Sequence, residues 1–470
     1  MTERLSFAPP SAAPVISTPP PPVVRVPVKP GDVSLEDGYR LEAVVVGLDY
    51  PTSLTFDDDG TLYIGEAGYS YGPAKAEGMG RILRLNPGGS LTEIASGFRG
   101  PMTAVTWHGG AFFVAEGAFP GRILRVTPDG SGRAVVVDGL RSGGDHFTGE
   151  IAFGPDGRMY FGVGSFTNSA VVGTDNFLFG WLPDLPREHD VPCRSLVLRG
   201  RNFRSVNPFT LDSPQPTLAL TGAFKPFGTP SHPGEFVPGS LYANGVIYAA
   251  NPDGSGLGVV ADGLRNPFAL GFSPAGRLYA IDQGYDHRGS RPIGEAPDPM
   301  WEIREGGWYG WPDYVAGMPV TLPRFQLPGK PPLDFILAHH PPLAGPPVLL
   351  LEHHSASVKF DFCTNPSFAH PGEVFIAQLG SGAPVTGPPV GTPGYRVVRA
   401  DLQARTVKDF LVSLNPRYGG TGPQRPIAAK FDPTGEALYV LDFGTMGGNL
   451  AGVIPYAQSG ILWRVTRKPA

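Results

Sequence analysis

The chain has 470 residues, of which 65 are glycine and 54 proline, and only 17% carry charge. Glycine and proline are the two poorest helix formers, so a helical bundle is excluded, and a hydrophobic content of 41% excludes wholesale disorder. A formal net charge of −5 argues against nucleic acid as a partner, and no apolar run of about 18 residues is present to span a membrane.

Residues 1–38 form a Pro-rich segment (APPSAAPVISTPPPPVVRVPVKPGD) that is expected to be extended and partly polyproline-like. It reads as a strap on the surface or a tether to a larger protein assembly, and it lacks the apolar core of a secretory signal. The stretch RLEAVVVGL from Arg40 reads as a fourth strand with no hairpin before it. A hairpin pattern then recurs six times, from Tyr50, Gly100, His146, Asn266, Ser355 and Arg425. Each copy alternates apolar residues at period two around a Gly, Pro or Asp turn, as in YPTSLTFDDDGTLYIGEAG. Third strands follow at Gly80, Gly121, Gly394 and Gly460, and a fourth at Leu91.

Four antiparallel strands per repeat, set radially, make a propeller blade. The expected fold is therefore all-β, a six-bladed β-propeller over residues 39–470. Pairing of the Arg40 strand with the final GILWRVTRK would close the ring and remove both edges. A long insertion, about 165–245, interrupts the third blade and is either functional or a small structure packed on the rim. Cys193 and Cys363 are the two cysteines, and nothing in the sequence argues for or against their pairing.

Antiparallel strands joined by a turn bring their outer ends together. Residues at first-strand starts and second-strand ends should thus gather around one end of the central channel. The starts supply Arg99, Asp145, His146, Arg265, Asn266, His353, His354 and Arg425. The ends supply Glu66, Glu116, Ser165, Gln283, Gly284, Tyr285, Gln378 and Asp442. Arginines in such a set suit carboxylates; the alternative is that these groups only brace loops. The His pairs at His339 and His353 suggest a metal only weakly, because adjacent side chains on a strand point to opposite faces.

Two stretches carry a family resemblance: DHFTGEIAFGPDGRMYFGVG from Asp145, and GLRNPFALGFSPAGRLYAIDQGYDHRG from Gly263 followed by GGWYGWPDYVAG. They resemble the soluble quinoprotein glucose dehydrogenase and L-sorbosone dehydrogenase family. The resemblance implies oxidation of an aldose or related sugar, with hydride passing to pyrroloquinoline quinone (PQQ) and then to an external electron acceptor. It implies His146 as general base, with Asp145 orienting that base or touching the sugar. It implies Arg265, Asn266, Gln283 and Arg425, with Arg99, at the cofactor, and the backbone carbonyls of Gly284 and Tyr285 on a calcium ion. It also implies a periplasmic or extracellular location. No CxxCH haem-attachment motif is present.

Departures from the family pattern are equally visible. A cofactor-binding lysine is replaced at Gly380, an arginine at Ile427, a substrate-side acid at Ser165 and a glutamine at Arg99. Three readings stay open at this level: the PQQ- and calcium-dependent dehydrogenase, a binding or scaffolding propeller without cofactor, and a lactonase-like hydrolase with a metal on Glu66, Glu116 and Asp442.

Overall fold

In the computed structural model the described residues are 29, 32–67, 79–388, 391–415, 422–449 and 452–469. Most of the Pro-rich segment therefore lies outside the described residues. All six hairpins form, each as the two inner strands of a blade: 51–56 with 62–66, 102–108 with 111–116, 148–153 with 159–163, 267–272 with 278–282, 357–362 with 374–378, and 426–431 with 437–442. Each innermost strand touches the next, and the last touches the first, so the ring is complete. The strands expected at Gly80, Leu91, Gly121 and Gly460 are present as such, and the Gly394 segment forms Arg396–Asp401.

Closure runs through the chain ends. Tyr39–Leu48 pairs antiparallel with Gly460–Arg467 and supplies the outer strand of the sixth blade. Two blades exceed the expected four strands. Val33–Leu35, inside the Pro-rich segment, adds antiparallel to the rim of the fifth blade, and Gly307–Trp308 adds parallel to the rim of the third. A short extended segment beside an unpaired edge gains backbone hydrogen bonds and covers that edge.

Apolar residues fill the spaces between blades rather than a single centre. Phe113, Ile151, Phe161 and Tyr248 join the second and third blades, while Ile281, Met300, Phe362 and Ile376 join the fourth and fifth. The approach is close where the third blade meets the fourth: a Cβ on Gly162 would collide with the Pro267 carbonyl.

The insertion forms its own structure. It holds a helix at Thr174–Leu178 and hairpins pairing Leu196–Arg199 with Pro233–Val237 and Asn202–Val206 with Leu218–Gly222. Its apolar side chains, including Leu198 and Phe224, pack with Tyr285, Trp308, Trp311 and Ile336. That partner region is a second long excursion, between Glu302 and Leu349 in the fourth blade.

A backbone device recurs at the top of the blades. Register between the two inner strands slips once near the start of the first strand in every hairpin, as between Pro51 and Ser53 or Pro426 and Ala428. Such bulges bend a strand and leave backbone N–H groups without ladder partners. Just ahead of these bulges, strand-end carboxylates take up the backbone N–H groups that lead into the first strands. Glu66 accepts from Asp49 N (2.7 Å) and Glu116 from Arg99 N (2.8 Å), while Asp282 accepts from Arg265 N (3.0 Å) and Asn266 N (2.6 Å). Asp442 accepts from the amides of Gln424, Arg425 and Gly444 at 2.8, 2.8 and 2.9 Å.

Each unpaired buried donor costs about 1–3 kcal/mol. We therefore expect Asp442→Ala to destabilise the fold by about 3 kcal/mol or more, and Asp442→Asn by less, in denaturant unfolding; equal small losses in both would contradict the bracing role.

Candidate active site

A cavity of about 210 Å³ lies at the bulge end of the channel, lined by Asp145, His146, Arg265, Asn266, Gln283, Gly284, Tyr285, His354 and Arg425 among others. Aromatic and aliphatic side chains, including Phe147, Phe179, Phe268, Phe443 and Ile427, complete the wall.

His146 is buried, at 7% exposure. Its Nδ1 lies 2.8 Å from the Ser165 carbonyl oxygen and 3.1 Å from Ser165 Oγ. A carbonyl can only accept, so Nδ1 carries the proton and Nε2 keeps its lone pair. Burial, aided by the Arg265 and Arg288 guanidiniums, holds the imidazole well below its usual pKa of 6.5, against the Ser165 carbonyl, which favours the charged form. The ring is therefore a neutral base with a fixed tautomer.

The segment that fixes it is itself fixed by the insertion. Asp190 accepts from Phe166 N (2.6 Å) and Thr167 Oγ1 (2.5 Å), and burial pushes this acid up to about 7. In the same segment, Asn168 Oδ1 accepts from Arg265 Nη2 (2.9 Å) and from Asp286 N (2.9 Å). One short loop thus orients both the histidine and Arg265.

Asp145 does not bond to His146. Its Oδ1 accepts from Asn176 (2.9 Å) and from the Trp181 indole (2.7 Å), both in the insertion, and its Oδ2 accepts from Arg288 (2.6 Å). The orienting partner is the Ser165 carbonyl.

Arg288 was not among the sequence candidates, although it lies in the YDHRG run directly after Gln283 and Gly284. Its guanidinium meets Asp145, Asp175 (2.7 Å) and Asp286 (3.1 Å) and covers the Phe179 ring at 4.2 Å. Arg265 also reaches Asp286, at 2.8 Å. Burial alone would raise the Asp286 pKa, but Arg265, Arg288 and His354 together lower it.

Arg425 differs. It is buried, and among the described residues its guanidinium meets the carbonyls of Leu379, Gly380 and Ser381 and the Tyr395 hydroxyl. Burial depresses its pKa, and among the described residues no carboxylate is paired with it. The Tyr395 ring also packs against Gly380, where a Cβ would sit 2.7 Å from the ring, so no longer side chain fits there.

Gly284 and Tyr285 form a tight cradle. A Cβ on Gly284 would lie 2.5 Å from the carbonyl oxygens of Ala296 and Pro297. Neither the Gly284 nor the Tyr285 carbonyl accepts a hydrogen bond among the described residues. Asn266 Nδ2 donates to Gln283 Oε1 (2.7 Å), while Asn266 Oδ1 and His354 Nε2 are buried without partners among the described residues.

Other candidates lie outside this wall. Arg99 is held by Glu116 (3.1 Å) and the Pro120 carbonyl (2.9 Å) and does not line the cavity. Glu66 pairs with Arg81 and Glu116 with Arg122 as well. Gln378 bonds Ser355, Ser357 and Arg396. His340 meets Asp313 and His353 meets Glu295, and among the described residues no three His, Cys, Asp or Glu side chains cluster as metal ligands. Cys193 and Cys363 are unpaired.

Removing one partner of a buried ion network leaves uncompensated charge, at about 3–5 kcal/mol. We expect Arg288→Met to lower unfolding stability by that amount, read by denaturant titration; a loss below about 1 kcal/mol would show that the three carboxylates do not depend on it.

No family model matches the chain. Quinoprotein glucose dehydrogenase B of Acinetobacter calcoaceticus is 27% identical over 182 residues, 39% of this chain and 29% of that protein. The match therefore spans less than a third of that relative's length. The pyranose dehydrogenase PQQ domain of Coprinopsis cinerea, in holo form, superposes with a TM-score of 0.55 at 16% identity, covering 96% of this chain and 98% of that one. A calcium structure of a Trichoderma reesei carbohydrate-active enzyme of family AA12 gives 0.53 at 16% identity, covering 94% and 99%. The PQQ-bound aldose sugar dehydrogenase of Streptomyces coelicolor gives 0.50 at 15%, covering 93% and 100%. At these identities the structural likeness establishes the propeller fold. By sequence over two fifths of its length, and by fold over nearly all of it, the chain resembles the soluble quinoprotein glucose dehydrogenases.

Proposed function

We propose that the chain is a dehydrogenase of an aldose or related hydroxy or aldehyde sugar, using PQQ and calcium and passing electrons to an external acceptor. The observation that carries this reading is the neutral His146, with its free Nε2 lone pair in a cavity that also holds Arg425, a buried guanidinium paired with no carboxylate among the described residues.

The residues present fit the cofactor. Arg425 forms no ion pair among the described residues, with Asp442 acting on it only through space, and a buried cation so placed favours an anionic ligand; PQQ carries carboxylates that Arg425 and Arg265 would meet. The unpartnered Asn266 Oδ1 and the neighbouring Gln283 offer further polar contacts. The two free carbonyls of Gly284 and Tyr285 present hard oxygen ligands of the kind calcium prefers. Bound there, the quinone would supply an acceptor for the hydrogen and two electrons leaving the sugar carbon, with calcium as a Lewis acid.

The chain's own part is positional and acid–base. His146 Nε2 takes the proton of a substrate hydroxyl, while Nδ1–H stays on the Ser165 carbonyl, so the ring does not rotate as charge develops. Arg265 is held by Asn168 and Asp286 and keeps its guanidinium fixed. The apolar part of the wall limits the water that can surround the reacting carbon. The place of the family lysine at Gly380 is filled by the Tyr395 ring, and Ile427 stands for a second arginine, so anion binding rests on Arg425 and Arg265. The hydrolase reading finds no support, because Glu66, Glu116 and Asp442 are engaged in bracing their own blades.

Protein mixed with PQQ and calcium is expected to reduce an artificial dye with some sugar as donor, and His146→Ala to lower that rate about 10²–10⁴-fold. Failure of the quinone to bind in calorimetry, with no dye reduction across a broad sugar panel, would leave the scaffold reading. Because His146 stays neutral well below 6.5, the rate should show no acid limb near that pH. The same depression has a stability consequence. The unfolded chain takes up this proton near 6.5 and the folded chain does not, so His146 disfavours folding progressively as pH falls below that value. His146→Gln should flatten that part of the unfolding profile, and an unchanged slope would contradict the assignment.

A further inference from the structure

A second cleft, of about 540 Å³, lies against the active-site cavity. The insertion forms one wall, through Asp175, Leu178, Arg204, Ser205 and Val206. The opposite wall comes from His287–Ser290 and the segment around Pro384. Arg288 and Val385 line both spaces, so the cleft leads directly off the cavity that contains His146.

Its lining carries unused hydrogen-bonding capacity. Among the described residues, Asp175 Oδ1, Ser205 Oγ and Ser290 Oγ are all buried without partners. Buried polar atoms in native proteins nearly always have partners, and three without them in one cleft point to a ligand. The Asp175 side chain is only 10% exposed, and its other oxygen is held by Arg288 at 2.7 Å. Burial raises its pKa to about 6, opposed by Arg288. The His287 Nε2 accepts from Glu295 N at 3.0 Å, which places the proton on Nδ1 and leaves that N–H as a donor. Arg204 enters no ion pair among the described residues. Leu178, Val206 and Pro384 set small apolar faces between these groups.

Hydroxyls that donate and accept, one carboxylate, one guanidinium and short apolar faces together match a chain of sugar rings, whose hydroxyls alternate with C–H surfaces. A fatty chain would leave the polar atoms unpaired, and a polyanion would face Asp175. We infer that this cleft binds the non-reacting rings of an oligosaccharide whose terminal ring enters the cavity at His146. The inference rests on the proposed dehydrogenase reading only for which ring reacts; binding in the cleft is measured separately.

The test uses the full chain without quinone, so that no sugar is consumed. Calorimetric titrations compare glucose with maltose and maltotriose, and with cellobiose and cellotriose. In at least one series the Kd should fall tenfold or more from one ring to three. Arg204→Ala, an exposed position, and Ser205→Ala should each erase that gain while leaving the Kd for glucose and the melting temperature unchanged. Equal affinity for one ring and three in both series, or a gain that survives both variants, overturns the cleft assignment. A gain that the variants erase, in a protein that reduces no dye once quinone and calcium are added, upholds the cleft and removes the dehydrogenase. Dye reduction with glucose but no gain with ring number does the reverse.

Discussion

The structure depends on how a bulged strand start is held. Each inner hairpin is bulged near its top, and the residues that lead into its first strand carry backbone N–H groups beyond the ladder that must find partners where the chain is buried. In four blades an acid at the end of the second strand accepts those groups: Glu66, Glu116, Asp282 and Asp442. The carboxylate and the N–H it receives belong to the same hairpin, so each blade fixes its own contribution to the rim. Asp282 makes the link to the site. By holding the amides of Arg265 and Asn266 it sets the direction in which both side chains leave the backbone and enter the cavity. Burial pushes this acid up to about 7, a cost the fold carries in order to keep that geometry.

The insertion belongs to the site rather than decorating it. Trp181 and Asn176 hold Asp145, Asp190 holds the loop that orients His146 and Arg265, and Phe179 lies under Arg288. Without these contacts the histidine would lose the support of its carbonyl partner, and three carboxylates would face the cavity with looser counter-ions. The same segment forms one wall of the adjoining cleft, so base position and ligand reach are built from one stretch of chain.

Fold and closure were legible in the sequence because hairpin periodicity is local, and six copies leave few topologies. The mouth was legible in part for the same reason: strand-end geometry correctly gathered His146, Arg265, Asn266, Gln283 and Arg425 around one cavity. It overreached at Arg99, since position on the rim does not decide whether a side chain turns inward or pairs with the acid of its own blade. The resemblance offered Asp145 as orienting the histidine or touching the sugar, whereas the Asp145 carboxylate is claimed by Trp181 and Arg288, far along the chain. Arg288 itself was passed over because it lies beyond the strand end in a loop with no periodic signal. Val33–Leu35 was read as part of an extended strap, and the edge it pairs with is visible only once the fifth blade exists.

The proposed dehydrogenase requires the cavity around His146 to hold a quinone through Arg425 and a cation through the carbonyls of Gly284 and Tyr285. A crystal structure of the protein soaked with PQQ and calcium tests it most directly. The expected result is quinone density with a carboxylate on Arg425, an ion held by those two carbonyls and His146 Nε2 open to the remaining space. Quinone bound elsewhere on the surface, or a cavity that stays empty at saturating quinone and calcium, would contradict it.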